Sequence, residues 1–269
     1  MNGELAQAGT LVAYGNAWLS GDKRTRDRIL DFENKSSTFQ YVRSVAFQDD
    51  SGQSPSRTVG GWLESLDTGR FKRLSLIAGT ASAHIPFINQ GLWGIVASGH
   101  DMVEAWYGQW GVNRVDLQPT ATNPRSWDVV YRGYRRPGTF QIESQSLAAR
   151  ALELRSSLED AIAFARTDDT LVTWVTRFEQ TLAAMAGSDQ PTIEYHPDML
   201  PEIGYSPAAR RLLAIGVRAW CFGAMGSWND IRFSDPLRQG NYDAVTARLF
   251  SAVVDAIREA VNAFGTAAG

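Results

Sequence analysis

The hydrophobic period of this chain changes twice, and that change limits its fold more than any other feature. Toward the beginning, Leu5, Ala8, Leu11, Val12, Gly15, Trp18 and Leu19 recur every third or fourth position and Gly21 follows as a stop, which predicts a helix. From Thr38 the period becomes two. Phe39, Tyr41, Val45 and Phe47 alternate with Gln40, Ser44 and Gln48, and the turn-rich Asp49-Asp50-Ser51-Gly52 comes next, which predicts a strand entering a hairpin. After Gly138 the three-to-four spacing returns and persists to the end.

The strand-rich region covers residues 38–135. Its aromatic and β-branched runs, at 70–78, 92–97, 103–110, 114–117 and 127–134, are separated by turn signals at Asp67-Thr68-Gly69, Ser98-Gly99-His100-Asp101 and Pro119 to Pro124. This spacing predicts an antiparallel meander of five to seven strands. Residues 58–66 fit either a hairpin arm or a short amphipathic helix, and residues 81–89 a loop or helical turn.

The helical ends are more specific. Residues 22–33 read as a second helix whose Lys23, Arg24, Arg26 and Arg28 form a solvated basic face. Residues 143–187 read as a helical hairpin: Leu147, Ala151, Leu154, Leu158, Ile162 and Ala165 form one stripe, and Asp168 or Asp169 caps the second helix, which ends at Gly187. A proline-punctuated linker spans 191–201. Ser206-Pro207 then starts a helix, since the serine oxygen accepts an orphan amide and proline suits the first helical position. Residues 212–225 are apolar almost all round, with Arg218 their only charge, so that helix is expected to be buried. A last helix, about 241–264, carries Val245, Leu249, Val253, Ile257 and Val261 every four residues. The expectation is one α+β domain over 1–269, with both sets of helices on one face of a central antiparallel sheet.

Composition narrows the function classes. A chain of 269 residues with 44% hydrophobic and 20% charged residues can bury a core without staples, and its single cysteine, Cys221, excludes an internal disulfide or a multi-cysteine zinc cluster. A net charge of −3 and a pI near 5.7 argue against nucleic acid as the main partner. Glu4, Gln7 and Asn16 interrupt any secretory pattern, and no run is long and apolar enough for a membrane span, so the expected setting is cytoplasmic, away from membranes. Oligomeric state is not legible.

No motif set names a reaction, a metal or a cofactor. The most unusual stretch runs from Phe222 to Asp230, where small residues precede Ser227, Trp228, Asn229 and Asp230. These four, with Arg218, are the expected polar group of a pocket for a polar small molecule, with Trp106 or Trp110 of the aromatic sheet as walls. Asp230 would suit a general base and Arg218 an electrostatic stabiliser. The plainer alternative is a helix end capped near Gly226 and a turn held by Asn229 or Asp230. Arg218 needs a partner, and Asp230, Glu194 and Asp198 are the candidates. In an extended chain Glu194, His196 and Asp198 would share a face, which suits a divalent metal or acid–base site, but a polar linker explains them as well. His84 and His100 have no metal-motif spacing. Cys221, between Trp220 and Phe222, reads as an inert core thiol. The run Tyr131-Arg-Gly-Tyr-Arg-Arg136 reads as a solvated strand end, and with the 23–28 segment as a third-ranked nucleic-acid surface. The second functional reading is a protein-interaction module, such as an inhibitor, immunity or accessory subunit, presenting an aromatic sheet face.

Overall fold

The computed structural model describes residues 1–22, 36–50, 56–69, 71–78, 93–112, 127–141, 145–223 and 226–265. Among these are α1 (Gly3–Leu19), β1 (Val42–Gln48), α2 (Val59–Thr68), β2 (Arg73–Ala78), β3 (Trp93–Ser98), β4 (Met102–Val112) and β5 (Trp127–Pro137). Four helices follow: α3 (Leu147–Ala165), α4 (Val172–Ala186), α5 (Pro207–Ala219) and α6 (Pro236–Asn262). The basic segment Lys23, Arg24, Arg26 and Arg28, the 81–89 connection with His84, and the 114–117 strand lie outside the described residues.

The α+β class holds, but the sheet is mixed rather than antiparallel. Its strand order is β1-β5-β4-β3-β2; β2 to β5 form the expected meander, while β1 lies parallel to β5, with Phe47 opposite Tyr131. Periodicity identifies a strand without identifying its partner. Here the partner follows from residues 58–66, which are helical: the Thr58 hydroxyl accepts the Gly61 amide at 3.2 Å, and Val59, Trp62, Leu63 and Leu66 are buried at helical spacing. After β1 the chain folds back for one antiparallel bridge, Phe47 to Ser56, and then turns into α2. It next joins the sheet at the opposite edge, as β2, and the strand that runs alongside β1 is β5, reached when the meander returns.

α1 was expected to bury one face, yet every residue from Leu5 to Trp18 is buried. It packs against β2, β3 and β4 on one side and α6 on another. Small residues make this close approach workable: a methyl at Gly15 would sit 2.2 Å from Leu74 Cδ1 and 3.1 Å from Leu63 Cδ2. The apolar residues visible in the sequence therefore mark only part of a helix whose alanines and glycines are equally enclosed.

The outer edge of β2 is closed by two asparagine side chains. Asn16 of α1 donates to the Leu74 carbonyl at 2.9 Å and accepts from the Leu74 amide at 2.8 Å. Asn262, at the end of α6, donates to the Leu76 carbonyl at 3.0 Å and accepts from its amide at 2.7 Å. Each primary amide presents one donor and one acceptor, as a neighbouring strand would, so the edge is satisfied without a sixth strand.

The remaining helices start where their caps dictate. Ser146 caps α3 and Ser206 caps α5 ahead of Pro207, each through a hydroxyl accepting an amide three residues on. Asp168 caps the turn leading into α4, and α3 and α4 form the expected hairpin. Leu249, Val253 and Ile257 of α6 are fully buried. α5, however, stops at Ala219 rather than continuing to residue 225, because Trp220 takes an extended backbone (φ −62°, ψ 110°). Residues 220–223 are apolar because they line the interior, not because they are helical.

Glu104 provides a pH test of the sheet. It is buried in β4 opposite Arg135 of β5, whose guanidinium lies 3.3 Å away, and burial raises its pKa above the ordinary glutamate range. A native group that holds its proton more tightly than the unfolded one loses stability as pH rises from the unfolded pKa through the native pKa. Over that window, urea unfolding of wild type and Glu104→Gln should diverge in favour of the variant. A pH-independent difference would show that Arg135 fully offsets burial.

Candidate functional site

The residues expected to form one pocket are placed in several parts of the molecule. Trp106 is buried under the sheet, edge-on to Phe47 and Trp62 with ring centroids 6.0 and 5.8 Å away. Trp110 is half-buried on the same strand face, against Trp127. Trp228 belongs to a different aromatic cluster, with Phe178 at 5.2 Å, Tyr242 at 5.5 Å and Trp174 at 5.7 Å. Arg218 is half-exposed rather than buried, and of its three candidate partners it takes Glu194, at 3.3 Å.

The Ser227–Asp230 segment is a capped turn. Asp230 is exposed, and its Oδ2 accepts the Ser227 amide at 3.1 Å, while the Ser227 side chain caps in the reciprocal sense. Asn229 is buried, and its Oδ1 accepts the Gly223 amide at 3.1 Å. The Trp228 indole donates to Thr246 Oγ1 at 2.9 Å, and its backbone amide donates to the Cys221 carbonyl at 3.1 Å. Together these bonds pin residues 220–223 against residues 226–230.

Beside that pinned pair a cavity of about 600 Å³ opens. Trp220, Cys221 and Phe222 form its inner wall, all buried. Trp174 and Arg177, one turn apart on α4, form a second wall; Tyr41 and Tyr195, both exposed, stand at the mouth. Met1, Gln40, His196, Gly223, Gly226 and Ser227 contribute the remaining surface. Ser227 is thus the one expected site residue on the lining, while Trp228 backs Trp174, and Asn229 and Asp230 hold the turn.

The electrostatics of this cavity are simple. Arg177 donates through Nη2 to the Trp220 carbonyl at 2.8 Å and lies over the Trp174 ring at 5.8 Å. Burial pushes the Cys221 thiol far above its ordinary range, so it stays a thiol, in line with the expected inert role. His196 is buried in the wall, with its pKa lowered chiefly by burial, and its Nδ1 has no partner among the described residues. A neutral imidazole short of one hydrogen bond is therefore built into the cavity wall.

Glu194, His196 and Asp198 do not converge. Tyr195 between them has a positive φ of 67°, which breaks the extended geometry that would align them. Glu194 goes to Arg218, and Asp198 accepts the Ser37 amide at 2.9 Å. Among the described residues no group of three His, Cys, Asp or Glu side chains is arranged to hold a metal. The Tyr131–Arg136 run is the expected solvated strand end over Tyr134, Arg135 and Arg136, which are exposed, although Tyr131 is buried and donates to Gln7 Oε1 at 2.9 Å, Arg132 donates to Gln109 at 3.0 Å, and Arg135 pairs with Glu104. His100 lies in the β3–β4 hairpin turn. No described helix is long and apolar enough to cross a membrane.

Sequence reasoning missed Trp174, Arg177 and Tyr41. A signal for the first two was present: Trp-X-X-Arg on a helix places the cation beside the indole one turn away, with Trp174 at the edge of the Leu171, Phe178 and Leu182 stripe and Arg177 beyond it. Comparison with protein-family models, curated proteins and solved structures gives no match in any of the three.

Proposed function

We propose that this protein binds a small organic molecule in the cavity between α4, the 195–196 bend and residues 220–223 and 226–227. The observation that carries this reading is the cavity itself, whose volume of about 600 Å³ lies within the usual range for ligand sites. Its lining joins five aromatic side chains, Tyr41, Trp174, Tyr195, Trp220 and Phe222, to a small number of polar groups. Such a lining favours a ligand with a planar apolar body and one polar end. The strained Tyr195 at the mouth adds support, since backbone outliers gather at ligand clamps.

The position of Gly223 supplies a direct test. Its backbone is compatible with other residues, and among the described residues an added Cβ would meet only Ser227 Oγ, at 3.6 Å. Gly223→Phe should therefore fold and fill the cavity. Isothermal titration with neutral aromatic amides, 3-phenylpropionamide and 2-naphthylacetamide, should show binding to wild type weakened at least tenfold in the variant, about 1.4 kcal/mol, with the melting temperature little changed. Undiminished binding to Gly223→Phe would place the ligand elsewhere and overturn this reading.

A further inference from the structure

Resting on the reading of this cavity as a ligand site, we infer that its ligand is an aromatic carboxylate whose anionic end is received by Arg177. The argument begins with charge. Among the described lining residues Arg177 is the one Lys, Arg, Asp or Glu, and the α-amino group of Met1 stands in the same wall, so none of these residues sets a carboxylate against it. The nearest acidic residues in the sequence of the bend are engaged elsewhere, Glu194 with Arg218 and Asp198 with Ser37.

Geometry then leaves Arg177 with donors to offer. A guanidinium has five N–H groups, and among the described residues this one makes a single hydrogen bond, to the Trp220 carbonyl. That bond and the contact with Trp174 hold the side chain in place, which lowers the ordering cost of receiving a planar, two-oxygen acceptor. Arg177 also acts on the neighbouring Cys221 thiol in the direction of the anion, although burial outweighs it there. The planar body of the ligand would lie along Trp220 and Phe222, whose rings stand edge to face at 5.8 Å. A carboxylate on an aromatic body meets both halves of this lining, whereas a cation would face an unopposed guanidinium.

Matched acid and amide probes test the inference on the full chain: 3-phenylpropionate against 3-phenylpropionamide, and 2-naphthylacetate against 2-naphthylacetamide. Titration of wild type should give each acid at least tenfold tighter than its amide. Arg177→Met should remove that preference while leaving amide affinity within about threefold, and Arg177→Lys, which keeps the charge without the fork, should retain part of it. Because Arg177 also holds the Trp220 carbonyl, circular dichroism of both variants verifies the fold, and the lysine variant carries the test if the methionine variant is unfolded. Equal affinity of acid and amide for wild type would overturn the carboxylate inference alone. A preference for acid that survives both Arg177 variants would overturn the role of Arg177. If neither member of either pair binds wild type, the ligand-site reading falls as well.

Discussion

Trp228→Ala is expected to cost about 3–5 kcal/mol in urea unfolding, the range for truncating a large buried aromatic side chain. Trp228 is completely buried and touches the rings of Phe164, Trp174, Phe178 and Tyr242. These neighbours come from α3, α4 and α6, so the cavity left by alanine would sit where three helices meet and none could close it alone. The substitution also strips Thr246, itself buried, of its indole donor. Trp228→Phe should recover most of the packing and cost only about 1–2 kcal/mol, since it loses chiefly the hydrogen bond. A loss below about 1 kcal/mol for the alanine variant would mean that the helices repack around the vacancy. Because Trp228 stands behind Trp174, ligand affinity should fall with stability in Trp228→Ala, whereas Gly223→Phe separates the two.

Asn262→Leu should be almost as severe, costing about 2–5 kcal/mol, although leucine is more apolar and close in size. The asparagine supplies both a donor and an acceptor to Leu76 of β2, and leucine would leave one buried amide and one buried carbonyl unpaired, each costing about 1–3 kcal/mol. Asn262→Asp should recover the bond from the Leu76 amide but set a carboxylate against the Leu76 carbonyl, so it is expected to be no better than leucine near neutral pH. Equilibrium unfolding of the two variants checks this. A stable leucine variant would show that water reaches the β2 edge and replaces the side chain.

Much of the helical part of this fold is legible because its signals are local. Ser206-Pro207, Asp168 and the four-spaced Leu249, Val253 and Ile257 stripe act within one or two turns, and the structure places their helices accordingly. The parallel placement of β1 was not legible, since Val45 and Phe47 alternate in the same way whether their partner lies beyond a hairpin or some eighty residues away, at Val129 and Tyr131. The end of α5 was hidden for a related reason: Trp220, Cys221 and Phe222 are buried in an extended segment that looks, by composition, like more helix.

The site was legible only at its margin. Polar residues after a glycine-rich stretch drew attention to residues 227–230, whose bonds turned out to fix the wall rather than face the cavity, apart from Ser227. The lining itself is assembled from Tyr41 ahead of β1, Trp174 and Arg177 of α4, the bend at 195–196 and the segment after α5. No spacing within one element reports such a convergence, because it is created by packing between elements distant in sequence.

The complete enclosure of α1 has a consequence for biosynthesis. Among the described residues the elements that cover it, the turn at Ser37–Phe39, α2, the β2–β4 strands and α6, are all translated afterwards, and α6 begins at Pro236. At roughly 5–20 residues per second, on the order of ten to forty seconds separate the emergence of α1 from that of its last cover. Throughout that interval the side of α1 that α6 will cover has no partner from α6 on the nascent chain. The order of translation thus leaves the burial of α1 incomplete until α6 has emerged.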